Sequence, residues 1–281
     1  MSPENFVETE ETPTPITTEI EQKQVEERVA VGANVVYEAI RREGESELAR
    51  PMAALAWSGL AAGLSMGFSL FAEGLLRAHL PDQEWRPLVS GLGYAVGFLI
   101  VVLGRQQLFT ENTLTVVLPV LLHKKWSVVL QAGKLWGTVL TANLLGTFLF
   151  AYCIAHAAIF SARVNSEFAA IGQGHLGAGF WTVFLRAIFA GWLIALMVWL
   201  LPGAESARVG IIIIITYLIA LGGFNHVIAG STTMFYLLAT KSISWATYAL
   251  NFLLPTLFGN VLGGVSLVAA LGHAQVVGSL E

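Results

Sequence analysis

The strongest constraint on this chain is a series of six apolar stretches that make up most of its length. A helix of about 20 apolar residues crosses a bilayer core about 30 Å thick. Stretches of this kind occupy residues 52–76, 88–122, 135–160, 180–201, 209–238 and 248–273. Only 12% of the residues are charged and the mean hydropathy is +0.68, whereas soluble domains carry roughly 25% charged residues. We therefore predict an all-α integral membrane protein with six transmembrane helices.

The N-terminal part is polar and acidic, unlike this apolar body. The first 50 residues hold 12 of the 19 acidic and 5 of the 15 basic residues. Residues 1–28 lack the apolar surface that offsets the entropy of ordering, so a disordered acidic tail is predicted there. Residues 29–50 mix Val and Ile with Glu and Arg, which predicts an amphipathic helix. The transmembrane domain then covers residues 51–275, with a C-terminal tail at 276–281.

Composition also excludes several classes of function. The single cysteine, Cys153, lies in an apolar stretch, so we expect no disulfide framework and no cysteine-based metal site. Neither a metal nor a cofactor is predicted. Basic residues of the body are scattered, which argues against nucleic-acid binding. The first 25 residues contain no apolar segment preceded by basic residues, so no cleaved signal peptide is predicted.

The second and fifth apolar stretches are too long for one helix, and polar residues interrupt each near its middle. The second contains the polar runs 105–107 and 110–112, and the fifth contains 222–223 and 225–226. Unpaired backbone groups are costly in lipid, so a break persists only where it is buried in protein or lines a wet cavity. We predict two half-helices joined by a non-helical segment in each of these spans.

The two halves of the chain resemble one another. The recurring residues are Leu103, Gly104, Leu121, Leu122, Lys124, Trp126, Asn143 and Gly146 in the first half, and Leu221, Gly222, Leu237, Leu238, Lys241, Trp245, Asn260 and Gly263 in the second. Because each half has three spans, the halves must lie upside down relative to each other. Chance similarity between apolar helices is the alternative. Inverted repeats with paired broken helices are typical of a midplane binding site or pore, so we predict a channel or transporter.

The basic residues predict the orientation in the membrane. Six spans place both termini on one side. Basic residues flanking that side are Arg41, Arg42, Arg50, Lys124, Lys125, Lys134 and Arg208, against Arg77, Arg86, Arg163 and Lys241 on the other. The positive-inside rule then places both termini in the cytoplasm.

Polar residues at the breaks are the candidate functional groups. His226 opens the second half of the fifth span, where a neutral imidazole can donate a hydrogen bond to an anion or pass it a proton; a structural histidine is the alternative. Thr110 can cap the following half-helix or face the pore, and both roles can coexist; Phe109 either narrows the pore or packs. Arg105 and Glu111 are predicted to form a buried ion pair, because an unpaired arginine is costly at this depth. Otherwise Arg105 is a fixed positive charge beside the pathway.

Several of these sequence features resemble those of the formate/nitrite transporter family. They are the six spans, the residues Leu108-Phe109-Thr110 and Gly223-Phe224-Asn225-His226 at the two breaks, and an Asn-x-x-Gly in the third and sixth spans. The similarity covers residues 48–273, and it extends to a divergent bacterial inner-membrane branch with a long acidic N-terminus. It implies an aquaporin-like protomer, assembly as a homopentamer, and one pore per protomer for a small monovalent anion or its conjugate acid, moved with a proton.

The resemblance also implies roles for individual residues. Together with the polar residues at the breaks, this gives a predicted substrate pathway of Phe98, Arg105, Gln107, Phe109, Thr110, Glu111, Ile219, Asn225 and His226, with His175 either a vestibule group or a loop histidine. Of these, His226 is the central pore histidine, and Phe98 and Ile219 fall on the apolar constrictions. The family usually has Gly, a small residue and an acid where Arg105, Gln106 and Gln107 stand here. The identity of the anion therefore does not follow from the resemblance, nor does the choice between a channel and a proton-coupled carrier.

Other classes of function are less well supported. A channel for neutral solutes shares the fold, but the paired Asn-Pro-Ala motifs of aquaporins are missing. A non-transporting sensor or scaffold that binds a partner through the acidic tail is a further alternative. An intramembrane protease is disfavoured, because Ser231 and His226 lie five apart on one half-helix. We predict that the protein is not an enzyme.

Overall fold

The computed structural model describes residues 31–204, 206–270, 272 and 274, and every regular element in this part of the chain is helical. The predicted tails at 1–28 and 276–281 lie outside the described residues. Helix α1, Ala33–Ala49, corresponds to the predicted amphipathic helix, although it begins at Ala33 rather than at residue 29. Its buried residues include Val36, Tyr37 and Ile40, which form one face of the helix.

The remaining helices follow the six predicted spans. In chain order they are α2 (Met52–His79), α3 (Arg86–Leu103), α4 (Phe109–Thr115), α5 (Val117–His123), α6 (Trp126–His156), α7 (Ala162–Gln173), α8 (Phe180–Leu200), α9 (Arg208–Leu221), α10 (Val227–Ala239), α11 (Trp245–Thr247) and α12 (Leu254–Leu262). A 3-10 turn, Leu201–Gly203, follows α8. Segments of π-helix, Tyr248–Leu253 and Gly263–Ala270, continue α11 and α12 as one last span.

Two spans are broken, as the sequence predicts. The second consists of α3, a non-helical segment at 104–108, and α4 with α5; the fifth consists of α9, a segment at 222–226, and α10. Five helices in the described part of the chain are long and apolar enough to cross a bilayer, and the fifth span is built instead from two shorter apolar helices. A break at mid-membrane therefore occurs once in each half of the chain.

Two features differ from the sequence prediction. The third span begins at Trp126 rather than at residue 135, because Lys134 lies on the exposed face of α6 and does not end the helix. Helix α7 is not among the predicted elements, since its 12 residues are too few to cross a bilayer. It is held to the end of α2 and the start of α3 by Glu167, which pairs with Arg77 at 3.0 Å and Arg86 at 3.1 Å.

Close contacts between backbones join the first and third spans of each half in the same way. A Cβ atom on Gly63 of α2 would collide with the carbonyl oxygen of Asn143 on α6. A Cβ atom on Gly191 of α8 would collide with the carbonyl oxygen of Asn260 on α12. The contacts are equivalent, so the two halves share one packing arrangement in opposite orientations. Small residues at such positions are typical of helix packing in membranes.

This packing predicts a strong effect of one methyl group. Gly63→Ala is expected to destabilise the protein by about 1–3 kcal/mol, because the helices must separate to admit the side chain. The matched control is Gly210→Ala, since Gly210 lies in α9 with no atom within 4 Å of an added Cβ. Thermal unfolding in detergent measures both variants. Equal unfolding temperatures for the two would contradict the packing described here.

Candidate functional site

The two breaks have the same backbone geometry. Arg105 and Gly223 occupy equivalent positions, and both are in the left-handed region, with φ of 50° and 59°. The amides that follow them bond back in the same way: Gln106 N–H donates to Val101 O and Phe224 N–H to Ile219 O, each at 3.0 Å.

The half-helices that follow also begin alike. Leu108 precedes α4 with φ −106° and ψ 126°, and His226 precedes α10 with φ −104° and ψ 126°. The repeat seen in the sequence is therefore a repeat of conformation, and His226 is the counterpart of Leu108.

A buried asparagine closes each break. The Oδ1 atom of Asn143 accepts from Phe109 N–H at 2.9 Å, and its Nδ2 donates to Gly59 O at 2.7 Å and Gln107 O at 2.9 Å. One side chain thus satisfies the first amide of α4 and a carbonyl of the break, and it also bonds a carbonyl within α2. The amide and the break carbonyl would otherwise be unpaired at membrane depth.

Asn260 does the same in the second half. Its Oδ1 accepts from Val227 N–H at 2.8 Å, and its Nδ2 donates to Ala187 O and Asn225 O, both at 2.8 Å. Asn143 and Asn260 recur in the sequence as part of the repeat, but no role is predicted for them there. Their recurrence at the same place in both halves is the signal that points to one.

Asn260→Leu is expected to destabilise the protein by about 3 kcal/mol, because it leaves an amide and a carbonyl of the break unpaired in the interior and removes a bond to α8. Asn143→Leu should give a loss of similar size. The control is Asn251→Leu, an exposed position of the same span as Asn260. Chemical or thermal unfolding of the purified variants gives the comparison, and a harmless Asn260→Leu would show that the breaks are closed by other contacts.

His226 and Thr110 meet where the two half-helices begin. The Nδ1 atom of His226 accepts from Ala229 N–H at 3.1 Å, and its Nε2 lies 2.7 Å from Thr110 Oγ1. Since Nδ1 accepts, this network assigns the ring proton to Nε2, which donates to the threonine hydroxyl. The hydroxyl hydrogen of Thr110 then remains to donate to another acceptor. Thr110 does not cap its helix, contrary to one predicted alternative, because Leu108 occupies the cap position without a side-chain bond.

Of the two residues predicted to line constrictions, Phe98 lies beside this pair. Phe98 and Ile219 are fully buried in one apolar cluster with Phe109. The ring of Phe98 meets the imidazole of His226 edge to face at 5.0 Å between centroids. Phe109 packs edge-on against Trp136 at 5.9 Å, which corresponds to the packing alternative for this residue. The centre of the protein therefore combines one hydrogen-bonded polar pair with an apolar surround.

Asn225 and His175 are joined on one side of this centre. The Nδ1 atom of His175, in the segment after α7, lies 2.9 Å from Asn225 Oδ1. The imidazole also meets the ring of Phe252 edge-on at 5.7 Å. The predicted vestibule histidine is thus attached to the second break.

Arg105 and Glu111 do not form the predicted ion pair. The guanidinium of Arg105 bonds Glu43 of α1 at 3.0 Å, and its side chain is 77% exposed. The backbone at Arg105 is left-handed, and the side chain points outward to α1. The spacing of Arg105 and Glu111 in the sequence does not predict this direction. Both residues instead line a cavity of about 440 Å³ beside α1, together with Gln107. We refer to this cavity as the α1 vestibule.

Broken helices in inverted repeats, with a polar pair buried where the breaks meet, define a membrane channel or transporter. The profile of the family described as formate/nitrite transporter matches residues 34–274. The chain belongs to this family, so it is a multi-pass membrane transporter or channel and not an enzyme.

Individual relatives agree with this assignment. The inner membrane protein YfdC of Escherichia coli K12 is 43% identical over 89% of this chain and 81% of its own length. The formate channel BtFdhC of Bacillus thuringiensis is 28% identical over 83% and 91%. The solved structure of a pentameric formate channel with formate bound shares the fold, with a TM-score of 0.68 and 19% identity over 82% of this chain and 98% of that one.

Proposed function

We propose that this protein moves small monovalent anions, such as formate or nitrite, across a bacterial inner membrane along a path past Thr110 and His226. The observation that carries the proposal is the buried pair of His226 Nε2 and Thr110 Oγ1, 2.7 Å apart at the junction of the two breaks. Family membership and the formate channel among the relatives support the substrate class. The inner membrane is supported by the name of the E. coli relative.

The pair is suited to donate a hydrogen bond to a passing anion. The Nε2–H of His226 donates to Thr110 Oγ1. This bond orients the threonine hydroxyl, so that the hydroxyl hydrogen of Thr110 is available to an oxygen of the anion. An anion here has left water and lies near the apolar side chains of Phe98 and Ile219, where an uncompensated charge is costly. A single charge-assisted hydrogen bond contributes about 1.5–3 kcal/mol, which lowers this barrier without a permanent positive charge.

The same geometry limits what His226 can do with a proton. Its Nδ1 is occupied by the bond from Ala229 N–H, so the ring holds one proton, on Nε2. Giving that proton away would leave an imidazolate. A second ring proton requires breaking the Ala229 bond. We therefore favour His226 as a hydrogen-bond donor that orients Thr110, and proton-coupled passage then requires a proton from another group.

The flux of anions into proteoliposomes of the purified protein tests the proposed function. Formate, nitrite, acetate, lactate and hydrosulfide are compared at acidic and neutral pH, with glycerol as the neutral solute. We expect flux of at least one anion and none of glycerol. Glycerol flux without anion flux would favour the aquaporin-like alternative. No flux from an intact oligomer would favour a sensor or scaffold.

Thr110→Val is expected to reduce anion flux by roughly 10- to 100-fold, because it removes the hydroxyl donor and leaves His226 Nε2–H unpaired. The matched control is Thr110→Ser, which keeps the hydroxyl and should stay near the wild-type rate. His226→Phe should resemble Thr110→Val. Stopped-flow flux measurements on variants that elute as the wild-type oligomer compare them, and equal rates for Val and Ser would remove Thr110 from the pathway.

We further propose a homopentamer whose termini both face the cytoplasm. The solved formate channel named above is described as pentameric, and this chain presents an apolar outer groove between α2 and α6 around Trp57, which is 73% exposed. Native mass spectrometry should give the mass of five copies of the 30.2 kDa chain. A monomer in mild detergent would contradict this assembly.

A further inference from the structure

The α1 vestibule contains polar groups that the proposed path through Thr110 and His226 does not use. On one wall the groups satisfy each other: Asn112 Nδ2 donates to Gln107 Oε1 at 3.2 Å, and Thr115 Oγ1 donates to Asn112 Oδ1 at 3.3 Å. Glu111 and Gln106 line the same cavity. Their Oε1 atoms are buried and have no hydrogen-bond partner in the described part of the chain.

The charged groups that face Glu111 leave it without a counter-ion. Glu43 and Glu47 approach from α1, Arg105 from the first break and Arg208 from the start of α9. Arg105 is bound to Glu43 at 3.0 Å, as described above. Glu47 is bound to Arg50 at 3.0 Å. No ion pair between Glu111 and Arg208 is present among the described residues.

This environment favours a carboxylic acid over a carboxylate at Glu111. A buried, unpaired carboxylate facing two further carboxylates is costly, whereas the protonated group carries no charge and gains an O–H that can donate. Such a group is a hydrogen-bond donor aimed at a cavity large enough for a small anion.

Glu111 is also the neighbour in sequence of Thr110, one member of the central pair. It follows Thr110 in α4, and consecutive helical side chains point about 100° apart. Thr110 therefore reaches His226 while Glu111 reaches the α1 vestibule. Glu111 thus lines the α1 vestibule next in sequence to the threonine of the proposed path.

We propose that Glu111 is the proton donor and acceptor for weak-acid anions in the α1 vestibule. The inference rests on the proposed function and supplies the proton that His226 is not placed to give. The O–H bond of the Glu111 carboxyl breaks and an O–H bond forms on the anion, which continues as the neutral acid. The Glu111 carboxylate then takes a proton from a hydronium ion in the water on the α1 side. In the opposite direction the Glu111 carboxyl first gives its proton to this water, the resulting carboxylate accepts the proton of an arriving neutral acid, and the anion leaves to the water.

Glu111→Gln tests this role, because glutamine keeps the shape and cannot exchange a proton. Formate flux is measured in vesicles of known orientation with the pH on each side set independently. Wild-type flux should rise as the pH on the α1 side falls. In Glu111→Gln the flux at acidic pH should fall at least tenfold, and most of the dependence of the flux on the α1-side pH should be lost. Glu111→Asp should keep the pH dependence at a reduced rate.

The matched control is Glu84→Gln, an exposed glutamate outside the vestibule, which should keep the wild-type profile. Infrared difference spectra add a readout that does not depend on transport: the wild-type spectrum should contain a carboxylic-acid band that Glu111→Gln lacks and Glu84→Gln keeps. A wild-type pH profile in Glu111→Gln, or an unchanged band, overturns this inference alone. A wild-type protein that carries no anion overturns the proposed function and this inference with it.

Discussion

The pairing of backbone groups inside the bilayer is the constraint on which the rest of this structure depends. Each break frees amides and carbonyls inside a membrane-spanning segment, where an unpaired backbone group is costly. The side-chain amides of Asn143 and Asn260 each pair two of these groups and also bond a carbonyl of a neighbouring helix. Because each asparagine lies on the third span of its half and bonds a carbonyl of the first, it also fixes the helices that surround the break.

The two halves share this backbone arrangement but carry different side chains at equivalent positions. His226 and Leu108 have the same backbone conformation, and so they occupy equivalent positions before α10 and α4. By the same correspondence, Thr110 matches Ile228. The contact between His226 and Thr110 therefore joins one half of the chain to the other, and its symmetry-related counterpart is an apolar pair.

The first break is also more highly charged than the second. Arg105 adopts a left-handed conformation at the position that Gly223 holds in the other half, which costs a non-glycine residue about 1–2 kcal/mol. Its bond to Glu43 ties the break to α1. Glu111 is the counterpart of Ala229, so the acid that faces the α1 vestibule has no equivalent on the other side. The α1 vestibule thus lies on the side of the break that carries charged residues, and the other half has no equivalent of these residues.

Much of the architecture follows from the sequence, because the physics that sets it is local. Span length, the polar interruptions and the recurrence of Asn143 and Asn260 predict six spans, two breaks and an inverted repeat, since lipid admits few alternatives. The sequence alone does not give the partners of side chains at the breaks. Arg105 pairs with Glu43, 62 positions away, and not with nearby Glu111.

The meeting of Thr110 and His226, 116 positions apart, is likewise decided by how the two halves pack. The sequence determined which groups lie near the membrane midplane, because hydropathy and helix breaks are properties of short segments. Only the tertiary structure decided which of these groups touch and which remain unpaired, because the distances between helices depend on the packing of the whole chain.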